Sequence, residues 1–120
     1  MDKTILVVDD FENTRFIIKM TLEKKGYRVI EAEHGKEALT YLDGRKLNLI
    51  ITDLNMPEMD GIEFTEAIRG NARYGRLPVL MLTTEISEKK KANARSAGIT
   101  GWIKKPFDIS SFLKAVEKVL

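Results

Sequence analysis

Five short runs of apolar and β-branched residues punctuate this chain, and between them the apolar positions return with helical spacing. Thr4 to Val8 (TILVV) is the first run, Tyr27 to Ala32 the second, Leu49 to Thr52 (LIIT) the third, Val79 to Leu82 the fourth and Gly101 to Lys104 the fifth. The first and third are too continuous for strands with one wet face; such runs lie inside a parallel sheet covered on both sides. The first helix reaches about Lys25, with Ile17, Ile18, Thr21 and Leu22 on one face, and Gly26 stands where a glycine ends a helix. Gly35 to Leu42 reads as the second helix, with Ala38, Leu39 and Leu42 inward and Asp43-Gly44 closing it. Ile62 to Arg69 is the third, with Phe64 and Ile68 as an i, i+4 pair. Ser87 is the N-cap of a fourth helix that carries Lys89, Lys90, Lys91 and Arg95, has few large apolar residues, and stops at Gly98. Asp108 caps the last, whose Ile109, Phe112, Leu113, Val116, Val119 and Leu120 keep helical spacing.

The order is strand then helix, five times, without repeats, linkers or low-complexity tracts. Units of this length imply an α/β fold, a doubly wound parallel sheet with right-handed crossovers, over a single domain spanning residues 1–120. Five strands favour an open sheet over a barrel, which needs eight.

Composition narrows the classes. With 120 residues, 43% hydrophobic and 32% charged, the chain can bury a core without staples. It has no cysteine and one histidine, His34, which excludes thiolate and multi-histidine metal sites. No apolar run approaches the roughly 20 residues that span a bilayer. MDKTILVVDD lacks the long apolar stretch of a signal peptide, so a cytoplasmic protein without a membrane partner is expected. A net charge of +2 is too small to argue for nucleic acid. The Lys89 to Lys91 run reads as a solvated helix face, and His34 as a solvated loop residue.

The strand endings carry the chemistry. Four of the five runs stop at Asp9 and Asp10, at Asp53, at Thr83, or at Lys105. In a parallel sheet those endings share one edge, where open α/β sheets hold their ligands. Asp53 follows a buried strand and precedes Asn55, Pro57, Asp60 and Gly61, all loop formers. Each ending alone is ordinary: a cap, a strand end, a surface lysine. Together, three carboxylates would repel one another unless a cation neutralised them. Carboxylates completed by water and a backbone carbonyl suit Mg²⁺. With such a metal and Lys105 holding a phosphoryl group, one aspartate could attack phosphorus to form an acyl phosphate, with the Thr83 hydroxyl on a phosphate oxygen.

From ILVVDD near its start to WIKKPF near its end, the chain resembles the receiver domain of two-component response regulators, and the resemblance covers essentially all of it. The resemblance implies a flavodoxin-like (βα)5 fold with strand order 2-1-3-4-5. It implies that Asp53 is the phosphorylated aspartate and that Asp9 and Asp10 organise Mg²⁺, with Asp10 the direct ligand. Asn55 would lend the metal its backbone carbonyl, Thr83 and Lys105 would contact the phosphoryl group, and Trp102 would be the aromatic switch. The Lys105–Pro106 bond is expected to be cis. DLNMPEMDG, TTE and GWIKKPF resemble stand-alone chemotaxis (CheY-like) receivers more than transcriptional ones, and the chain ends at Leu120, where the last helix completes the domain. Expected partners are a histidine kinase of the chemotaxis type, a downstream target such as the flagellar motor switch protein, and a phosphatase. The chain is expected to work as a monomer, a phosphoacceptor rather than an enzyme, assisting its own phosphoryl transfer and dephosphorylation. Two departures stand out: Thr84, where many relatives carry a smaller residue, and Trp102 in place of tyrosine or phenylalanine. Asn55 and Glu85 would flank the approach of water to the acyl phosphate, and Thr84 would narrow the same entrance, so the phosphorylated state is expected to be short-lived.

Other readings fit less well. A haloacid-dehalogenase-like phosphatase needs an acid two residues beyond its nucleophile, where Asn55 stands. A flavodoxin-like cofactor binder needs a phosphate-cradling loop after the first strand, but DDFENT is acidic and glycine-free. A receiver excised from a larger regulator, or a phosphorelay intermediate, would read the same as a stand-alone protein.

Overall fold

The computed structural model describes residues 2–84 and 87–120. Strand and helix alternate throughout: β1 (Thr4–Val8), α1 (Glu12–Lys24), β2 (Arg28–Ala32), α2 (Gly35–Leu39), β3 (Leu49–Asp53), α3 (Gly61–Arg69), β4 (Val79–Thr83), α4 (Glu88–Ala97), β5 (Gly101–Lys104) and α5 (Ile109–Val119). Every pairing is parallel and the order is β2-β1-β3-β4-β5, as expected. β3 and β4 are buried along their whole length, which is why neither shows polar alternation. Successive residues of β1 point to opposite faces. Ile5 and Val7 join Ile18, Leu22, Phe112 and Val116 in the layer under α1 and α5. Leu6 and Val8 join Ala38, Phe64 and Ile68 in the layer under α2 and α3.

Caps fix the helix starts. Ser87 accepts from the Lys90 N–H and Asp108 from the Ser111 N–H. Asp60 and Glu63 form a reciprocal capping box at the start of α3, which the D-x-x-E spacing encodes. Gly98 closes α4 with φ at 101°, the left-handed conformation that glycine adopts without strain. β3 and β4 each run one residue past their apolar stretch, so Asp53 and Thr83 are the last residues of their strands.

Three expectations are corrected. α2 ends at Leu39, not Leu42, because Thr40, Tyr41 and Leu42 donate to carbonyls three residues back. The Thr40 hydroxyl also takes the Glu37 carbonyl at 2.6 Å, and the helix tightens into a turn. Ile17 and Ile109 do not face the core; they are 51% and 53% exposed. The buried line of α1 is Arg15, Ile18 and Leu22, and Ile17 lies about 100° round the helix from Ile18. His34 is not a solvated loop residue but the N-cap of α2, its Nδ1 accepting from the Glu37 N–H at 3.1 Å.

Candidate functional site

Register brings the acidic residues together. Val8 is level with Thr52, so Asp9 emerges from β1 beside Asp53 at the end of β3. One ligand oxygen each from Asp9, Asp10 and Asp53 can be chosen so that all lie within 4.8 Å of one another. Lys105 follows β5 and is tied to β4 by its N–H, which donates to the Thr83 carbonyl at 2.9 Å. Its ammonium donates to Asp9 Oδ2 at 3.1 Å and to Asp53 Oδ2 at 3.3 Å, bridging the two buried carboxylates. The Lys105–Pro106 bond is cis.

The three aspartates are not equivalent. Asp9 is 1% exposed and both its oxygens are engaged, Oδ1 by the Phe11 N–H at 2.8 Å and Oδ2 by Lys105. Asp53 keeps Oδ1 on the Leu54 N–H at 2.8 Å. Burial pushes the Asp53 carboxyl above the usual carboxylate range; the Lys105 ammonium opposes this and the Asp9 charge adds to it. Asp10 is exposed and lines a cleft of about 360 Å³ with Asp53, Asn55, Thr84 and Lys105, together with Phe11 of the β1–α1 turn and Thr14 in the first turn of α1. An all-oxygen set of this kind, two carboxylates at the cleft and a third behind them, fits a hard cation such as Mg²⁺.

α3 must start hard against this site. The Gly61 N–H donates to the Leu54 carbonyl at 2.7 Å. A Cβ at this position would meet the Asp53 carbonyl oxygen, the Leu54 Cα at 2.9 Å and the Met81 Sδ at 2.8 Å.

The remaining residues singled out by the sequence separate into two groups. Thr83 is fully buried at the end of β4, and it is its neighbour Thr84, exposed, that lines the cleft. Trp102 is half-buried on β5, level with Met81, and packs against a small cluster of Leu54, Met81 and Ala94. The Lys91 ammonium sits 5.9 Å from the centre of its ring, so one member of the lysine run covers an aromatic face. Leu54 follows Asp53 directly and belongs to the same cluster, which places Trp102 one apolar contact layer from the acidic site. Glu85 lies outside the described residues. Sequence reasoning missed Arg15, a cation in an otherwise apolar helix stripe, and Gly61, which the loop-forming run DLNMPEMDG hid among several turn residues.

The chain matches the response regulator receiver domain over residues 5–117 and belongs to that family of signalling proteins, the phosphorylation-activated switches of two-component systems. Relatives about 40% identical to this chain over nearly their full length are chemotaxis proteins of the CheY type. It is 42% identical to chemotaxis protein CheY1 of Helicobacter pylori over 118 residues, covering 97% of this chain and 95% of that protein. The structure of chemotaxis protein CheY4 of Vibrio cholerae superposes with a TM-score of 0.95 at 41% identity, each chain covered in full. The receiver domain of sensor histidine kinase PA1611 from Pseudomonas aeruginosa, described with a magnesium ion coordinated in its active-site cleft, gives a TM-score of 0.89 at 25% identity, over 98% of this chain and 97% of that one.

Proposed function

We propose that this chain is a chemotaxis signalling switch that accepts a phosphoryl group from a histidine kinase on Asp53, with Mg²⁺ held by Asp10, Asp53 and the Asn55 backbone carbonyl. The observation that carries this reading is the convergence of three carboxylates on one cleft, with Lys105 bridging the two buried ones. Asp9, with both oxygens engaged, orients the site from behind. A bound Mg²⁺ supplies charge neutralisation and polarises phosphoryl oxygens. The chain's own residues do the rest. An Asp53 oxygen attacks phosphorus, the bond from phosphorus to the donor nitrogen breaks, and the phosphoryl group passes to the carboxylate as an acyl phosphate. Lys105 then pairs with phosphoryl oxygens in place of the Asp53 carboxylate. Hydrolysis follows when water enters past Asn55 and Thr84.

The phosphoryl group carries close to two negative charges where the carboxylate carried one, and its oxygens reach toward Thr83 and Lys105 and draw a hydroxyl and a cation to them. Movement there reaches Trp102 through the apolar cluster that includes Leu54, and so changes the α4–β5 surface offered to a target such as the flagellar motor switch. α4 buries only Ala94 and Ala97 among its residues, the sparse packing expected of an element that shifts at low cost. The likeness to chemotaxis proteins over 97% of the chain supports a place in the cytoplasm with a separate histidine kinase, a downstream target and a phosphatase. Among the described residues no helix is long and apolar enough to cross a membrane.

Two experiments test the reading. Acetyl phosphate with Mg²⁺ should add one phosphoryl group, chelation of the metal should stop the reaction, and Asp10→Asn should weaken Mg²⁺ binding by roughly tenfold or more. Uptake that continues in chelator, or an Asp10→Asn that binds Mg²⁺ like the wild type in a calorimetric titration, would contradict it. Thr83→Ala should still accept phosphate but lose most of the Trp102 fluorescence change; a full wild-type change in that variant would place the coupling elsewhere.

A further inference from the structure

Behind the Asp9–Asp10 turn lies a cation that neither the fold nor the phosphoryl chemistry described above explains. Arg15 is 9% exposed, in a helix stripe whose other members are Ile18 and Leu22. Its Nη1 donates to the Asp9 carbonyl at 2.6 Å, and its Nε donates to Glu31 Oε1 at 3.1 Å. Its Nη2 lies 3.9 Å from Glu33 Oε1, and Lys19, one turn along α1, holds the other Glu31 oxygen at 3.3 Å.

We propose that Arg15 is a positioning residue for the divalent-cation site, acting through the peptide that joins Asp9 to Asp10; this rests on the reading of Asp10 and Asp53 as Mg²⁺ ligands. The Asp9 carbonyl and the Asp10 N–H share one rigid amide plane. Fixing that carbonyl fixes the Asp10 Cα and the N–Cα axis, and the Phe11 N–H, held by Asp9 Oδ1, fixes the peptide on the other side, so the two together set which way the side chain leaves the turn. Asp9 itself is held at its N–H by the Ala32 carbonyl and at its carboxylate by Phe11 and Lys105. The Asp10 carboxylate is exposed at the cleft, so the backbone held at these two points is what aims it. Arg15 suits the task because a planar fork can grip a carbonyl and a carboxylate at once, which an ammonium cannot do with the same geometry.

Two effects of opposite sign follow from removing it. Losing a positive charge near a cation site favours the cation, whereas losing the grip on the turn scatters its ligand. Glu31 and Glu33 already balance the guanidinium, so the charge effect is small. The partners that orient metal ligands are worth roughly tenfold to a hundredfold in affinity, and orientation wins.

The test compares Mg²⁺ affinity by calorimetric titration, and the rise in melting temperature that Mg²⁺ causes, in wild type, Arg15→Met and Arg15→Lys. Arg15→Met should bind Mg²⁺ roughly tenfold or more weakly, with a smaller Mg²⁺-induced rise, and Arg15→Lys should recover little of either. A residue that only stabilised the fold would lower the melting temperature equally with and without Mg²⁺. Affinity unchanged or increased in Arg15→Met, or restored in full by lysine, overturns the proposal. Should Arg15→Met not fold, Glu31→Gln loosens the same fork from its far side; weaker Mg²⁺ binding in that variant supports the proposal and wild-type binding overturns it. A wild type that binds no Mg²⁺ overturns the underlying reading as well, whereas equal binding by wild type and Arg15→Met overturns only the role of Arg15.

Discussion

Asp53→Asn is expected to take up no phosphoryl group at any Mg²⁺ concentration and yet, without Mg²⁺, to melt at a higher temperature than the wild type. The first half follows because an amide is not a nucleophile for phosphorus at this site, and the two neighbouring carboxylates do not replace it: Asp9 is buried with both oxygens engaged, and Asp10 is exposed at the rim of the cleft. The second half follows from the electrostatics of the metal-free site. Burial, with the Asp9 charge adding to it, raises the Asp53 carboxyl above the usual range despite Lys105. The folded chain therefore binds this proton more readily than the unfolded chain does. Its stability falls as pH rises from the ordinary carboxylate range through the raised value, and stays lowered at neutral pH. Asparagine removes that charge, keeps an acceptor for the Leu54 N–H, and leaves Lys105 to Asp9. The advantage of the variant should be greatest near neutral pH and shrink as pH falls through the same window. Each kcal/mol corresponds to roughly 3–6 °C in a chain of this size. Saturating Mg²⁺ should reverse the order, since the wild type binds the metal more tightly and binding stabilises by mass action. Calorimetric melts at neutral and acid pH, with and without Mg²⁺, check both signs. An Asn variant less stable than wild type at neutral pH without metal would mean that the Lys105 attraction outweighs burial.

Gly61→Ala should be among the most damaging single substitutions in the chain, at about 2–3 kcal/mol, the upper part of the range for overpacking. A Cβ there meets the Asp53 carbonyl oxygen and the Leu54 Cα, which are backbone and cannot turn aside as a side chain would. The strain falls on Asp53 and on Leu54, the residue that leads toward Trp102, so weakened Mg²⁺ binding should accompany the loss of stability. Gly70→Ala is the matching control: its Cβ would come no nearer than 3.6 Å to the Glu66 carbonyl, an ordinary contact. Urea unfolding should leave it within about 1 kcal/mol of wild type. Equal stability of Gly61→Ala and wild type would mean that the β3–α3 turn yields more easily than its packing implies.

The sequence made the sheet legible because burial on both faces leaves its mark on residue type. LIITD and VLMLT carry no alternation to confuse with a helix, and the endings of parallel strands necessarily share an edge. Ser87, Gly98 and Asp108 marked helix ends through capping chemistry that is local to a few residues. What stayed hidden depends on partners far away in the chain. Arg15 reads as polar until Glu31, Glu33 and the Asp9 carbonyl are folded around it, and Ile17 counts as core until the helix is rotated onto the sheet. His34 caps a helix with a ring nitrogen, outside the usual set of capping side chains. Gly61 is required by what stands opposite it and not by a left-handed turn such as those of Gly26, Gly44 and Gly98, and no local pattern records that.

The most direct measurement is the location of the phosphoryl group itself. After treatment with acetyl phosphate and Mg²⁺, borohydride reduction converts an acyl-phosphorylated aspartate to homoserine, which peptide mass spectrometry can place in the chain. The account predicts homoserine at Asp53 alone, one per chain, absent without Mg²⁺ and absent in Asp53→Asn. Homoserine at Asp9 or Asp10, or a phosphate on a hydroxyl that borohydride leaves untouched, would contradict it.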